Sequence, residues 1–124
     1  MTMGLEQLIR EIKKRPDYPT AGMILCHNGV VRNTSRDGRA VTGLRVRVDH
    51  ARLKRIIEKG KRQTGIIEIL VEIQENKHLS VGDDVMFLVV AGDIRENVIR
   101  TLQTTLNAIK TTVTYKTEYF KEVV

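Results

Sequence analysis

Arginine and lysine side chains at the ends of predicted helices and strands are the residues whose types and spacing could do chemistry. An arginine fork binds a phosphate through two hydrogen bonds, and a helix start adds backbone N–H donors for an anion. A lysine held among other cations loses proton affinity and can act as a base or a nucleophile. The pattern therefore indicates either a phosphate-and-lysine site or an ordinary basic surface. Its cations are Arg32, Arg95 and Lys110 at element ends, Arg36 and Arg39 in a predicted loop, and Lys116 within the last predicted strand.

No standard catalytic motif accompanies these cations. The sequence contains no GxSxG, HExxH, P-loop or GxGxxG pattern. The histidines, His27, His50 and His78, follow no metal-ligand spacing, so we interpret each as a structural or surface residue. Cys26 is the only cysteine and lies in an apolar run, which favours a packed core thiol over a nucleophile. No metal site is predicted.

Composition limits the classes of partner. The formal net charge of +6 favours an anionic partner: nucleic acid, an acidic protein or a phosphorylated small molecule. Aromatic residues make up only 4% of the chain, which disfavours a single-strand binder based on base stacking, although a basic helix that contacts phosphates remains possible. No apolar run is long enough for a membrane span, and no secretory signal is present, so we expect a cytoplasmic protein.

Helical periodicity predicts three helices. The first lies within residues 1–15 and ends before Pro16. The second covers residues 51–63 and carries a basic face that is most simply a solvated surface. The third runs to residue 110, and Asp93 with Glu96 three residues later predicts a capping box at its start.

The remaining apolar segments predict five strands, at residues 21–32, 41–48, 65–73, 85–91 and 112–120. The run at 85–91 is continuously apolar, which is typical of a central strand. Asp37-Gly38 predicts a hairpin between the first two strands. The order of the elements predicts an α+β fold with a mainly antiparallel sheet and three helices, in one domain over residues 1–124.

The order of the candidate site residues resembles the large, catalytic subunit of molybdopterin synthase. In that family a Gly-x-Val-Arg element precedes a charged loop, an acidic turn precedes an apolar strand, and a lysine ends the last helix before a Lys-x-Glu. The likeness covers a family-like core over residues 21–118, and its matching elements are Gly29-Val30-Val31-Arg32, Gly82-Asp83-Asp84, Arg95, Lys110 and Lys116-Thr117-Glu118.

The resemblance implies an α/β hammerhead type of fold and a sulfurtransferase. A ubiquitin-like small subunit with a C-terminal Gly-Gly thiocarboxylate would deliver sulfur to cyclic pyranopterin monophosphate, for molybdenum cofactor biosynthesis. The large subunit would form a homodimer within a heterotetramer and bind no cofactor of its own. Arg32 and Arg95 would bind the substrate, Lys110 and Lys116 would be catalytic, and Glu118 would orient Lys116. The charged loop after Arg32 would form the rim of an anion pocket.

This sequence departs from the family pattern around the site. Ile94 stands where the family has histidine, His27 replaces an aromatic residue, Gln74-Glu75 replaces a His-Arg pair, and Arg47 replaces an acidic residue. The apolar framework is kept. The departures leave three hypotheses open: a working synthase, a non-catalytic or altered-substrate relative that still binds a carrier tail or another anion, and a nucleic-acid or unrelated binding protein.

Overall fold

The structure, a computed structural model, describes residues 3–122, which form three α-helices and six β-strands. The helices are α1 (Leu5–Lys13), α2 (His50–Lys61) and α3 (Arg95–Thr112). The strands are β1 (Met23–Val30), β2 (Val41–Val48), β3 (Ile66–Ile73), β4 (Leu79–Ser80), β5 (Asp84–Gly92) and β6 (Thr114–Phe120). This order confirms the predicted α+β class and adds the short β4. No helix in the described residues is long and apolar enough to cross a membrane.

The larger sheet has the order β1-β5-β3, with every pair antiparallel. Its central strand β5 is buried from Met86 to Gly92, because helices cover both faces of the sheet. On one face, Leu8 and Ile12 of α1 pack against alternate residues of β5, including Val89. On the other face, α2 and α3 cover Leu88 and its neighbours. The apolar run of β5 therefore forms the centre of the core, as its composition predicts.

The smaller sheet has the order β4-β2-β6 and is also antiparallel. Its inner face carries the apolar residues of β2, among them the buried Val46. Its outer face carries Arg45 and Arg47, which are exposed. This alternation confirms the half-buried strand that the sequence predicts.

The predicted hairpin between β1 and β2 is wrong. β1 pairs with β5, and β2 pairs with β4 and β6, so the two strands lie in different sheets. Asp37-Gly38 does form a tight turn, in which Gly38 has a φ of +86°. That turn closes only the local bridge between Thr34 and Ala40. An Asp-Gly pair predicts a chain reversal but does not determine how far strand pairing extends on either side.

The predicted capping box of α3 is also wrong. The N-cap residue is Ile94, which provides no side-chain cap. Asp93 instead accepts hydrogen bonds at Oδ1 from the Ile94 backbone nitrogen, at 2.6 Å, and from Asn97 Nδ2, at 3.0 Å. These bonds hold the pKa of Asp93 below its ordinary value, with the Asn97 bond the larger cause. Asp93 therefore stabilises the junction between β5 and α3 from the position just before the N-cap residue.

Candidate functional site

A cavity of about 1040 Å³ lies between the end of the larger sheet and the inner face of the smaller sheet. Four of the five predicted site residues line it: Arg32, Lys110, Lys116 and Glu118. Arg36, from the predicted charged loop, lines it as well. Four cations and one carboxylate therefore share one cavity, an arrangement that favours an anionic ligand.

The elements bring these residues together because their ends meet at the same side of the molecule. Arg32 follows β1, and Lys110 lies in the last turn of α3. Lys116 and Glu118 are two residues apart on β6, so they share its inner face, opposite Val46 and Leu44 of β2. The last turn of α3 leads directly into β6, which connects the two lysines over a short length of chain.

Arg95 does not line this cavity. It begins α3, whereas Lys110 lies near the end of the same helix. They are fifteen positions apart, which corresponds to roughly 22 Å along the helix axis. Arg95 is exposed, and its Nε donates to Glu96 at 3.1 Å. Within a single chain, Arg95 therefore does not share a site with Arg32, contrary to the expectation from the sequence.

The two lysines differ in their partners. Lys116 Nζ lies 3.9 Å from Glu118 Oε1, which makes a long, partly exposed ion pair. Lys110 forms no ion pair with any residue in the described part of the chain. Its ammonium group is therefore available to a ligand, while the Lys116 ammonium is held near a carboxylate.

Internal contacts hold the charged loop after β1 against the smaller sheet. Ser35 Oγ donates to Asp37, and Arg39 Nε donates to the same carboxylate at 2.9 Å. These contacts hold the pKa of Asp37 below its ordinary value, with the Ser35 bond the larger cause. The Arg39 guanidinium also lies 3.9 Å from the centre of the Phe120 ring at the end of β6. Arg39 thus anchors the loop, and Arg32 and Arg36 remain at the cavity.

His27 lines the cavity, although the sequence interpretation gave it only a structural or surface role. It lies on β1 opposite Leu88, and its ring forms part of the cavity wall. Burial and, secondarily, the charge of Lys110 lower the pKa of His27 below its ordinary value. A polar residue between Leu25 and Gly29 on the buried face of a strand is the signal that could have identified it.

The other departures from the family pattern lie outside the cavity lining. Ile94 is 54% exposed at the start of α3. Glu75 contacts His50 Nε2 at 2.7 Å, beside the start of α2. Arg47 stacks over Tyr115 on the outer face of the smaller sheet, 5.2 Å from the ring centre. His27 is therefore the departure that changes the composition of the cavity wall.

Comparison with solved structures identifies the class of fold. The chain is similar to the molybdopterin synthase of Staphylococcus aureus, with a TM-score of 0.78 and 19% identity over 98% of this chain and 88% of that chain. It is similar to the Burkholderia multivorans molybdopterin cofactor biosynthesis protein E, with a TM-score of 0.76 and 20% identity over 99% and 85% of the two chains. A complex of subunits 1 and 2 of the molybdopterin-converting factor from Helicobacter pylori gives a TM-score of 0.70 and 15% identity over 98% and 86%. At such low identities, the likeness shows the fold alone.

The family model described as MoaE protein matches residues 3–112. The chain belongs to the MoaE family. No curated protein matches the chain. The family assignment confirms the resemblance to the molybdopterin synthase large subunit and supports a role in molybdenum cofactor biosynthesis.

Proposed function

We propose that this chain is the large subunit of a molybdopterin synthase, which transfers sulfur from a thiocarboxylated small subunit to cyclic pyranopterin monophosphate. One observation supports this most: Arg32, Lys110, Lys116 and Glu118 meet in a single cavity of a MoaE-family chain. The volume of about 1040 Å³ is at the upper end of small-molecule sites. A phosphorylated heterocycle and the end of a peptide tail could therefore occupy it together.

The roles follow from the chemistry of each side chain. Arg32 and Arg36 bind the substrate phosphate as fixed cations. Lys110, with no ion-pair partner in residues 3–122, exchanges protons with the reacting groups. Lys116, oriented by Glu118, stabilises negative charge that develops on the substrate. In each transfer, a carbon–sulfur bond forms on the substrate in place of a carbon–oxygen bond, and water then cleaves the resulting thioester to release the carrier tail as a carboxylate.

The proposed partner is a ubiquitin-like small subunit with a C-terminal Gly-Gly. The Helicobacter pylori relative is described as a complex of two subunits, which supports a two-subunit arrangement for this chain. Strand β6 pairs only with β2 in the described residues, so its other edge is open beside the cavity. An extended glycine tail can lie along such an edge, because its backbone N–H and C=O groups find partners there.

The proposed substrate role of Arg95 requires a second copy of the chain. Arg95 cannot act with Lys110 of its own chain, because the length of α3 separates them. In the homodimer that we propose, Arg95 of one copy would face the cavity of the other. Mixed dimers of Arg95→Ala and Lys110→Ala subunits would then contain one intact cavity, and random mixing should restore roughly a quarter of the activity. No recovery after proven subunit exchange would contradict this role.

The experiment for the proposed function is single-turnover conversion of cyclic pyranopterin monophosphate to molybdopterin, with a thiocarboxylated small subunit. We expect product with the unaltered protein and a rate at least about 100-fold lower with Lys110→Ala. Lys59→Ala, which removes an exposed lysine of α2, is the matched control and should keep the full rate. Full activity of a folded Lys110→Ala protein would contradict the catalytic role.

His27 in the cavity wall favours one alternative, a relative with a changed substrate or no catalysis. Such a protein would still bind the small subunit through its Gly-Gly tail. It would make no molybdopterin, with or without Lys110. Binding of the small subunit, measured in parallel with turnover, therefore separates the two functions.

A further inference from the structure

The Nε2 atom of His27 is buried and has no hydrogen-bond partner in the described residues. Within residues 3–122, no other buried side-chain nitrogen or oxygen lacks a partner. A buried polar atom without a partner is unfavourable, and in native proteins it often indicates a site that a ligand or water completes. Because His27 lines the cavity, the unpaired nitrogen points to a ligand there.

The backbone around His27 provides the space that its ring occupies. Gly29, two residues further along β1, lies on the same face of the strand. A Cβ atom on Gly29 would lie only 3.3 Å from His27 Nε2. Because Gly29 has no side chain, the His27 ring can lie close to its backbone, and both residues line the cavity.

The charges around His27 favour its neutral form. Lys110 faces it from α3, Lys116 and Glu118 line the same cavity from β6, and Arg32 and Arg36 line it from the loop after β1. Burial and the charge of Lys110 both keep the pKa of His27 below its ordinary value of 6.5. The imidazole is therefore uncharged at pH 7 and offers one N–H donor and one acceptor nitrogen. It can recognise a ligand by hydrogen-bond direction without adding to the positive charge of the cavity.

We propose that His27 is a specificity-determining residue of this cavity, which hydrogen-bonds through Nε2 to a polar ring atom of the phosphorylated heterocyclic substrate. This inference rests on the proposed function. The arginines recognise the phosphate, which many metabolites share, and His27 recognises the ring. A site with a buried polar atom discriminates against ligands that leave the atom unpaired. An aromatic hydrocarbon ring at this position would accept either kind of ligand.

Two variants of His27 separate hydrogen bonding from packing. His27→Phe keeps an aromatic ring and removes both nitrogens. His27→Gln shortens the apolar part and restores an amide group that can reach the position of Nε2. His78→Gln, which changes an exposed histidine outside the cavity, is the matched control.

The test is titration calorimetry with two probes, cyclic pyranopterin monophosphate and inorganic phosphate. We expect His27→Phe to weaken binding of the pterin about 5-fold to 10-fold, the effect of losing one hydrogen bond. Its affinity for inorganic phosphate should remain unchanged, and His27→Gln should recover most of the loss for the pterin. The control variant should bind both probes like the unaltered protein.

Three results would overturn the inference. If His27→Phe binds the pterin as tightly as the unaltered protein, His27 forms no hydrogen bond that contributes to pterin binding. The proposed function would be unaffected by that result. Equal losses for pterin and phosphate would assign His27 a packing role. Absence of pterin binding to the unaltered protein would overturn both the inference and the proposed function.

Discussion

Replacing His27 by phenylalanine is expected to stabilise the protein without its ligand. The substitution removes the buried Nε2 atom that lacks a partner and keeps a planar ring in the same place. An unpaired buried polar atom typically costs about 1–3 kcal/mol, and we expect about 1 kcal/mol here because the rest of the ring is only partly buried. For a chain of this length, that gain corresponds to an increase in Tm of about 4 °C.

The gain should depend on pH in a defined direction. The pKa of His27 in the folded protein is lower than its ordinary value of 6.5, first because of burial and then because of Lys110. The unfolded chain therefore binds more protons below that pH, and the folded state of the unaltered protein loses stability as the pH falls through this range. His27→Phe has no such group, so the difference in the free energy of unfolding between it and the unaltered protein should increase as the pH falls from 8 to 5.5.

Urea unfolding of both proteins at several pH values, in buffer without phosphate, measures this effect. The difference in the free energy of unfolding between the two proteins cancels the contributions of all other titrating groups that the substitution leaves unchanged. A His27→Phe protein that is less stable at pH 8 would refute the assignment of an unpaired nitrogen. A difference that stays constant from pH 8 to pH 5.5 would refute the inferred direction of the pKa change.

Three further predictions concern the framework that holds the cavity. Arg15→Ala should lower the free energy of unfolding by about 1 kcal/mol in urea, because it removes a 2.7 Å ion pair with Glu68 that is only partly exposed. Gly65→Ala should cost about 2 kcal/mol in the same assay, since Gly65 has a φ of +77° and a Cβ there would meet the Asp93 carboxylate. Asp93→Asn should flatten the fall of Tm below pH 3.8, because the stabilisation from the lowered pKa of Asp93 is present above that value and lost below it. An unchanged urea concentration at the unfolding midpoint would contradict the reasoning for Arg15→Ala or Gly65→Ala. For Asp93→Asn, the contradicting result is an unchanged dependence of Tm on pH below 3.8.

Most elements of the fold could be predicted because their periodicity is strong. The apolar run of β5 and the alternating residues of β2 each identify a strand and its buried face. Strand pairing could not be predicted in the same way. The Asp37-Gly38 turn is a local signal, whereas the partner of β1 is β5, more than fifty residues away. The topology depends on how the apolar faces of these distant strands pack together, and no short sequence pattern shows which strands pair.

The candidate site could be predicted to a similar extent. Sequence order places Arg32 after a strand, Lys110 at a helix end and Lys116 within the last strand, and these elements meet at one cavity in this fold. The same reasoning does not bring Arg95 to the cavity of its own chain, because Arg95 lies at the opposite end of α3. The length of the predicted helix already separates Arg95 from Lys110, so this correction could have been made from the sequence.

His27 needed the structure because its importance depends on what lies opposite it. On β1, its side chain shares a face with Leu25, which packs beneath α2 and α3. A histidine on such a face usually has a hydrogen-bond partner within the protein, and the sequence does not show whether one is present. Here the partner is absent from the described residues, and the cavity that holds Lys110 begins at the same point. The unpaired Nε2 atom of His27 is unfavourable without a ligand, and its residue lines the cavity where a ligand could pair with it.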